Sequence, residues 1–329
     1  MTATAQLDSV ERAIVAALHI SPRAPWELIA RALGVSESTV ARRAQRLLAS
    51  GLVTVVGMTE EPRGSRSLSA SIRLACKPGT AAKVARTIAK DPQVRFVGLL
   101  TGPSACLVEA VAPGREELMS FIEQRLATID GVLQHASRII LRSFTGAYAW
   151  DPGILDARAA AEIRKESMLP ASKGTEAGDH GKLDVQESAI LGALRGNGRM
   201  SVLELAAAAN TSPSTAKRRM DALLERGILH FRTVVEPSLL GFDVELMMWL
   251  DSDRSSLRQT ADTLAAHPAV RYLIATTGDT PLFATAVLPH NDDIFAFLTD
   301  VIGTLPGARN VETQLLLGAS KRHWHLTPA

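Results

Sequence analysis

Apolar positions along this chain follow two rhythms in turn. Over residues 7–50, and again over 183–226, they recur three and four apart, the spacing of one helix face. Each stretch breaks into three short predicted helices: 7–18, 25–33 and 36–50, then 183–194, 201–209 and 212–226. After Gly51 and Gly227 come short strands, 52–57 and 228–235, expected to connect each three-helix module to the rest of its copy. Strand and helix runs then alternate. In the first half, 68–76 reads as a strand, 80–90 as a helix, 94–100 and 105–112 as a hairpin, 115–128 as a helix and 132–142 as a strand. The second half repeats that order, with strands over 244–251, 270–276, 282–288 and 311–318 and helices over 255–266 and 292–304. The order βαββαβ predicts a ferredoxin-like sandwich. One face of such a sheet carries helices, and the other needs a partner, for which a duplicate copy is the obvious candidate.

The duplication is written in the residues themselves. Leu7-Asp8 and Ala13-Ile14 return as Leu183-Asp184 and Ala189-Ile190. Ser36, Ser38, Thr39, Arg42 and Arg43 return as Ser212, Ser214, Thr215, Arg218 and Arg219, and Thr101-Gly102 as Thr277-Gly278. Every pair stands 176 positions apart, as Asp184 does from Asp8. A single offset from end to end means two copies with no net insertion between the marks, and a unit of that length is too large for a solenoid repeat. Between the copies, Asp151-Pro152 predicts a helix start, an acidic N-cap followed by proline at the first helical position, with a helix over 154–168. Residues 169–182, rich in small and polar types, read as a flexible loop.

The gap between second and third helices is tight in both copies, Gly34-Val35 and Asn210-Thr211, which is the mark of a helix-turn-helix. In the third helix of copy one, Ser36 is the expected N-cap and Val40, Ala44 and Leu47 form the inward stripe, leaving Thr39, Arg42, Arg43 and Arg46 on the other side. In copy two, Ser212 caps, Ala216, Met220 and Leu223 face in, and Ser214, Thr215, Arg218 and Arg219 face out. A charged helix face is by itself ordinary solvated surface. Here hydroxyls at the helix start, arginines one turn on, a tight preceding turn and duplication of the whole pattern coincide. Hydroxyls and amides at a helix N-terminus suit phosphate, and arginine can reach phosphates or fork onto guanine. Ser36, Ser38, Thr39, Arg42, Arg43 and Arg46, with Ser212, Ser214, Thr215, Lys217, Arg218 and Arg219, are therefore the candidate contacts to double-stranded DNA.

Composition narrows the picture without changing it. The 329 residues are 46% apolar and 21% charged, enough to bury a substantial core. Thirty-six basic residues against 34 acidic ones exclude a polybasic coat or an acidic tail, but a local basic helix can hide in a neutral total. Two cysteines, Cys76 and Cys106, without CxxC spacing, exclude a stapled secreted fold and a structural zinc site, and read as thiols in a reducing cytoplasm. No signal peptide is evident, and the longest apolar run, 96–114, contains Glu109 and is broken by Thr101-Gly102-Pro103-Ser104, so no membrane span is expected.

At this point the sequence resembles the leucine-responsive regulator/AsnC (Lrp/AsnC, or feast-famine) family of transcription factors, in a tandem-duplicated form. The residues carrying the resemblance are Leu183-Asp184, Ser212 to Arg219 with its twin Ser36 to Arg43, the helix-to-strand junctions Leu48 to Leu52 and Leu224 to Ile228, Thr277-Gly278-Asp279, and Leu305-Pro306-Gly307. It implies an α+β chain of two tandem copies, each a winged helix-turn-helix plus a βαββαβ ligand-sensing domain. The expected boundaries are 1–57, 66–146, a connector over 150–182, 183–236 and 242–326. It also implies pairing of sensor domains and a small, amino-acid-like effector at their interface, near Thr101, Gly102 and Ser104 in copy one and Thr277, Gly278 and Asp279 in copy two. An intrachain pseudo-dimer that assembles into a homo-oligomer is the expected design. No cofactor and no metal are called for.

The copies have diverged. Arg46 corresponds to Ala222 and Ala41 to Lys217, so the two third helices need not read the same half-site, and copy one lacks an acid at the place of Asp279. The rival reading is an enzyme like the siroheme decarboxylases, which the resemblance also spans. Against it, the eight histidines (His19, His135, His180, His230, His267, His290, His323 and His325) form no ordered catalytic set, and His323-Trp324-His325 reads as a surface tail.

Overall fold

The computed structural model describes residues 7–59, 67–146, 150–166, 183–322 and 324–327. The loop expected over 169–182, with His180, and the first histidine of the His323-Trp324-His325 tail lie outside the described residues. The chain divides into two compact units, and each draws on both copies: Met1–Ser65 with Asp151–Leu240, and Arg66–Trp150 with Gly241–Ala329.

The first unit holds two three-helix heads. Head one is α1 (Ser9–Ile20), α2 (Trp26–Leu33) and α3 (Glu37–Ala49), followed by β1 (Val53–Thr59). Helix α1 starts two residues later than its apolar rhythm suggests. Asp8 accepts the Glu11 backbone N–H at 2.9 Å and Glu11 accepts the Asp8 N–H at 3.1 Å, a capping box that ends the extended backbone there. Val40, Ala44 and Leu47 are buried as their spacing predicts, Val40 and Ala44 against Ile14, Leu18, Leu28 and Ile29.

A correction concerns the connector. Helix α6 is Ala157–Glu166, and its start is set by Asp156, which accepts the Ala159 N–H at 2.7 Å. Asp151 instead accepts the Gly153 N–H, making a turn that a Gly153 φ of +65° completes, so the Asp-Pro pair does not begin the helix. Ala159 and Ile163 of α6 join the core of head one, and Arg31 donates to Glu162 at 2.7 Å.

Head two is α7 (Val185–Gly196), α8 (Val202–Ala208), α9 (Pro213–Glu225) and β6 (Leu229–Val235), with Asp184 and Glu187 repeating the capping box. The break before the third helix is left-handed in both copies, at Gly34 (φ +66°) and Asn210 (φ +48°), two residue types that tolerate that region.

A second correction concerns the strands after the heads. They do not merely lead onward: β1 and β6 pair with each other, antiparallel, from Val53↔Val235 to Thr59↔Leu229. The middle pair is Val56↔Arg232, and these two positions are copies of one another, 176 apart. A residue can face its own duplicate only where a two-fold axis passes, so the joint is a pseudo-two-fold. Arg23 and Arg199, again 176 apart, make reciprocal contacts across it. Arg23 donates to the carbonyls of Gly198 and Met200, and Arg199 to those of Pro22 (2.7 Å) and Ala24 (3.0 Å). The Gly198 N–H donates to Val55 O at 2.7 Å, and a Cβ there would sit 2.8 Å from the backbone of Val56. Backbone cannot give way as a side-chain tip can. Gly198→Ala is expected to destabilise the chain by about 2 kcal/mol and to loosen the joint, read as faster hydrogen exchange over 53–59 and 229–235; unchanged exchange there would refute the close fit.

The second unit holds both βαββαβ halves. Half one is β2 (Leu68–Cys76), α4 (Ala81–Ala89), β3 (Val94–Leu100), β4 (Cys106–Ala112), α5 (Arg115–Ser120) continued by a wider turn to Leu126, and β5 (Val132–Thr145). Half two is β7 (Val244–Ser252), α10 (Leu257–Ala265), β8 (Val270–Thr276), β9 (Leu282–Leu288), the short α11 (Asp293–Ala296) with its continuation to Thr304, β10 (Ala308–Arg322) and β11 (His325–Leu326). The last strands outrun their predicted ends for a reason of pairing. β5 pairs with β2 up to Ile139 and then with β8 from Ile140 onward; β10 pairs with β7 up to Leu315 and then with β3 from Leu316. Each long strand therefore belongs to both halves. The circuit β10-β3-β4-β2-β5-β8-β9-β7 closes where β7 meets β10. The helix-bearing faces bury Ile72, Val84 and Phe121 on one side and Met248, Leu264 and Phe297 on the other. Between the halves lie Leu100, Leu107, Met247, Trp249, Ile274 and Phe283, so the open sheet face is covered by the duplicate copy, as expected.

Candidate nucleic-acid interface and effector loops

The third helices begin alike. Ser36 Oγ accepts the Thr39 N–H at 3.3 Å and lies 3.2 Å from Ser38 Oγ and 2.8 Å from Thr39 Oγ1; Ser212, Ser214 and Thr215 repeat this at 3.3, 3.1 and 2.9 Å. The structure thus brings the predicted hydroxyls together at the N-terminus of α3 and of α9, where the helix dipole is positive.

The basic candidates separate into two groups. Arg43 is paired with Asp8 and Arg46 with Glu11, both at the start of α1. Arg219 is paired with Asp184, and Lys217 with Asp221 one turn along α9 at 2.6 Å. The Glu187 backbone N–H, and after it Arg219, hold the Asp184 carboxyl below the usual carboxylate range. Arg42 and Arg218 are exposed and make no ion pair among the described residues. The reason is angular: Arg43 and Arg219 lie beside the inward stripe and meet helix one, whereas Arg42 and Arg218 are one residue further round.

The divergence at position 46 is compensated. Copy two has Ala222 there, but Arg226, one turn later, donates to Glu187 at 2.6 Å. Both heads therefore keep an arginine on the capping-box glutamate. Sequence reasoning missed this tie and the Arg23/Arg199 joint, since neither partner is near in the chain.

At the hairpin loops the predicted residues are held by contacts within the unit. The Thr101 N–H donates to Leu315 O and its Oγ1 accepts the Leu315 N–H, both at 2.9 Å; Thr277 makes the same pair with Ile139. Each threonine is a two-bond clamp on the long strand of the other half. Gly102 (φ +83°) and Gly278 (φ +106°) lie against the side chains of Gln314 and Arg138, where a Cβ would approach to 3.1 Å. Ser104 Oγ accepts from Arg73 at 2.9 Å, and Arg73 grips Glu312 and stacks 4.2 Å over Trp249, its own duplicate position. In copy two, Asp279 pairs with Arg138 at 2.7 Å. The loops are thus unlike in charge. The hydrogen bond from Arg138 holds Asp279 below the usual carboxylate range, and Arg73 does the same for Glu312. Such depressed carboxyls favour the folded form above the unfolded pKa, about 4, and lose that contribution as pH falls through the folded value. Replacing both threonines by valine is expected to cost about 2 kcal/mol, one for each clamp, measured by urea unfolding of the full chain; a midpoint unchanged from wild type would refute the clamp.

Family comparisons agree with this layout. The AsnC-type helix-turn-helix domain profile matches residues 7–48, a winged helix-turn-helix DNA-binding profile matches 183–229, and the Lrp/AsnC ligand binding domain matches twice, at 69–148 and 245–325. The chain belongs to the Lrp/AsnC family of transcriptional regulators, in a tandem-duplicated form. An uncharacterized HTH-type transcriptional regulator of Pyrococcus abyssi is 27% identical over 141 residues, covering 43% of this chain and 89% of its own length. The HTH-type transcriptional regulator Ptr1 of Methanocaldococcus jannaschii is 29% identical over 140 residues, covering 42% and 95%. Each of these relatives uses nearly all of its own length on less than half of this Lrp/AsnC chain. Among solved structures, the siroheme decarboxylase NirDL superposes with a TM-score of 0.60 at 15% identity, covering 96% of this chain and 93% of its own, a likeness of fold. No helix among the described residues is long and apolar enough to cross a membrane, and no group of metal-ligating side chains is found among them.

Proposed function

We propose that this chain reads paired half-sites on double-stranded DNA with both heads, and that a small amino-acid-like effector at the sensor loops modulates the binding. The pseudo-two-fold joint at Val56 and Arg232 carries the reading, because a two-fold pair of heads matches a pseudo-palindromic operator. Arg42 and Arg218 are the proposed groove contacts, with the hydroxyls of Ser36, Ser38, Thr39, Ser212, Ser214 and Thr215 on phosphate. Arg43, Arg46 and Arg219 act by setting the helix that presents them. Asp279 would face an effector's ammonium, and Thr101, Gly102, Ser104, Thr277 and Gly278 would shape the two loops around it. The effector works only through unequal affinity for two arrangements. The reading calls for a cytoplasmic protein and for further assembly of the pseudo-dimer. Fluorescence anisotropy with DNA from upstream of its own gene tests it. Two half-sites about 10 bp apart should bind roughly a hundredfold more tightly than one; equal affinity for one and two would sink it.

The end-to-end likeness to NirDL favours one rival, a siroheme-decarboxylase-like enzyme. Mixing the full chain with an iron uroporphyrin decides: a bound, shifted Soret band with loss of a carboxyl group supports the enzyme, and an unshifted band leaves the regulator.

A further inference from the structure

The two sides of the head joint are lined by different residues. On one side a half-open cavity of about 460 Å³ is lined by Trp26, Leu48 and Val53 to Val55 from head one and by Gly196, Asn197 and Arg199 from head two. The pseudo-two-fold puts Phe231 in the place of Val55 and Val202 in the place of Trp26 on the opposite side. There, Phe231 is buried, with the Arg23 guanidinium 4.9 Å from its ring centre. Duplication followed by divergence has therefore exchanged the large and small side chains of the two sockets, Trp26 with Val55 on one side and Val202 with Phe231 on the other.

We infer that this hollow is a binding site for a small aromatic carboxylate, distinct from the sensor loops. Its floor is flat and aromatic: the Arg199 guanidinium stacks 3.9 Å over the Trp26 ring, a platform on which a second ring can lie. Its charge is positive and unbalanced. Arg199 spends two donors on Pro22 O and Ala24 O, both neutral, and no carboxylate lines the cavity. Burial, and after it the Arg23 cation across the joint, pull Arg199 down to about 10, so an anion brought to its guanidinium is favoured. Arg199 Nε, Trp26 Nε1 and the Asn197 side-chain NH₂ make no side-chain hydrogen bond among the described residues and can serve an anion's oxygens. A cationic or purely aliphatic ligand would meet none of these. Leu48 belongs to the last turn of α3, so an occupant touches the helix carrying Arg42 while bridging both heads.

The test uses the full chain with indole-3-acetate as probe, and tryptamine and acetate as controls, by isothermal titration. Indole-3-acetate should bind saturably and the controls should not. Val55→Phe, which places the residue of the opposite side in this cavity, should weaken binding at least tenfold, and Trp26→Val should do the same, while Asp279→Ala in the sensor loop leaves it unchanged. Hydrogen exchange on the unmodified chain needs no variant: protection on adding the probe should fall on 53–55 and 196–199. Protection confined to 101–104 and 277–280, protection nowhere, or equal binding by the folded Val55→Phe chain would overturn the proposal.

Discussion

Changing Arg42 and Arg218 together to alanine is expected to lower affinity for a two-half-site operator about a thousandfold while leaving thermal stability at the wild-type value. Each arginine that contacts a base or phosphate contributes about 1–3 kcal/mol, and two distant sites add, so the pair amounts to about 4 kcal/mol. Discrimination against altered bases in each half-site should relax as well. Stability should hold because both side chains are exposed and make no ion pair among the described residues. Changing Arg43 and Arg219 instead separates the two roles. Those side chains hold the third helix to Asp8 and Asp184, so their loss should lower stability as well as affinity. Anisotropy titrations at two salt concentrations, with melts of the same preparations, make the comparison. If the Arg42/Arg218 variant binds like wild type, the groove assignment fails.

The largest loss of stability is expected from Glu245→Ala. Glu245 on β7 accepts from Arg271 at 3.3 Å and from Arg322 at 3.1 Å, and both arginine side chains are only 4% exposed. Removing the shared carboxylate leaves two like charges near each other inside the second unit without their common counter-charge. Breaking a buried ion pair from one side costs about 3–5 kcal/mol, or a fall in melting temperature of roughly 10 °C for a unit of this size. Glu245→Gln, which keeps the shape and can still accept hydrogen bonds, should lose less. A melting point for Glu245→Ala within about one degree of wild type would show that the charges are already balanced elsewhere.

The copies themselves measure how much tertiary detail a sequence pattern carries. Val40, Ala44 and Leu47 were legible as an inward stripe because helical spacing reports which face is buried. The same spacing put Arg43 with Arg42 on the outer face, yet the two have different fates, since a residue at the edge of a stripe is decided by what a remote segment offers it. Asp8 lies 35 positions away from Arg43, and periodicity is blind at that distance. The Asp-Pro pair at 151–152 misled for a related reason: its start signal is local and real, but the acid found a nearer use in the turn at Gly153.

What the sequence alone determined is the architecture of each copy: three helices with a tight break, then βαββαβ, written twice at one offset. Local rhythm, capping residues and turn glycines suffice for that, because each acts within a few residues. Only the tertiary structure decided how the copies join. The strands β1 and β6 find each other across 176 residues, β5 and β10 change partners midway, and Arg23 and Arg199 exchange carbonyls. Edge strands present the same unpaired amides and carbonyls to any partner, so which edge meets which is settled by the packing of whole halves, a quantity that no window of sequence contains.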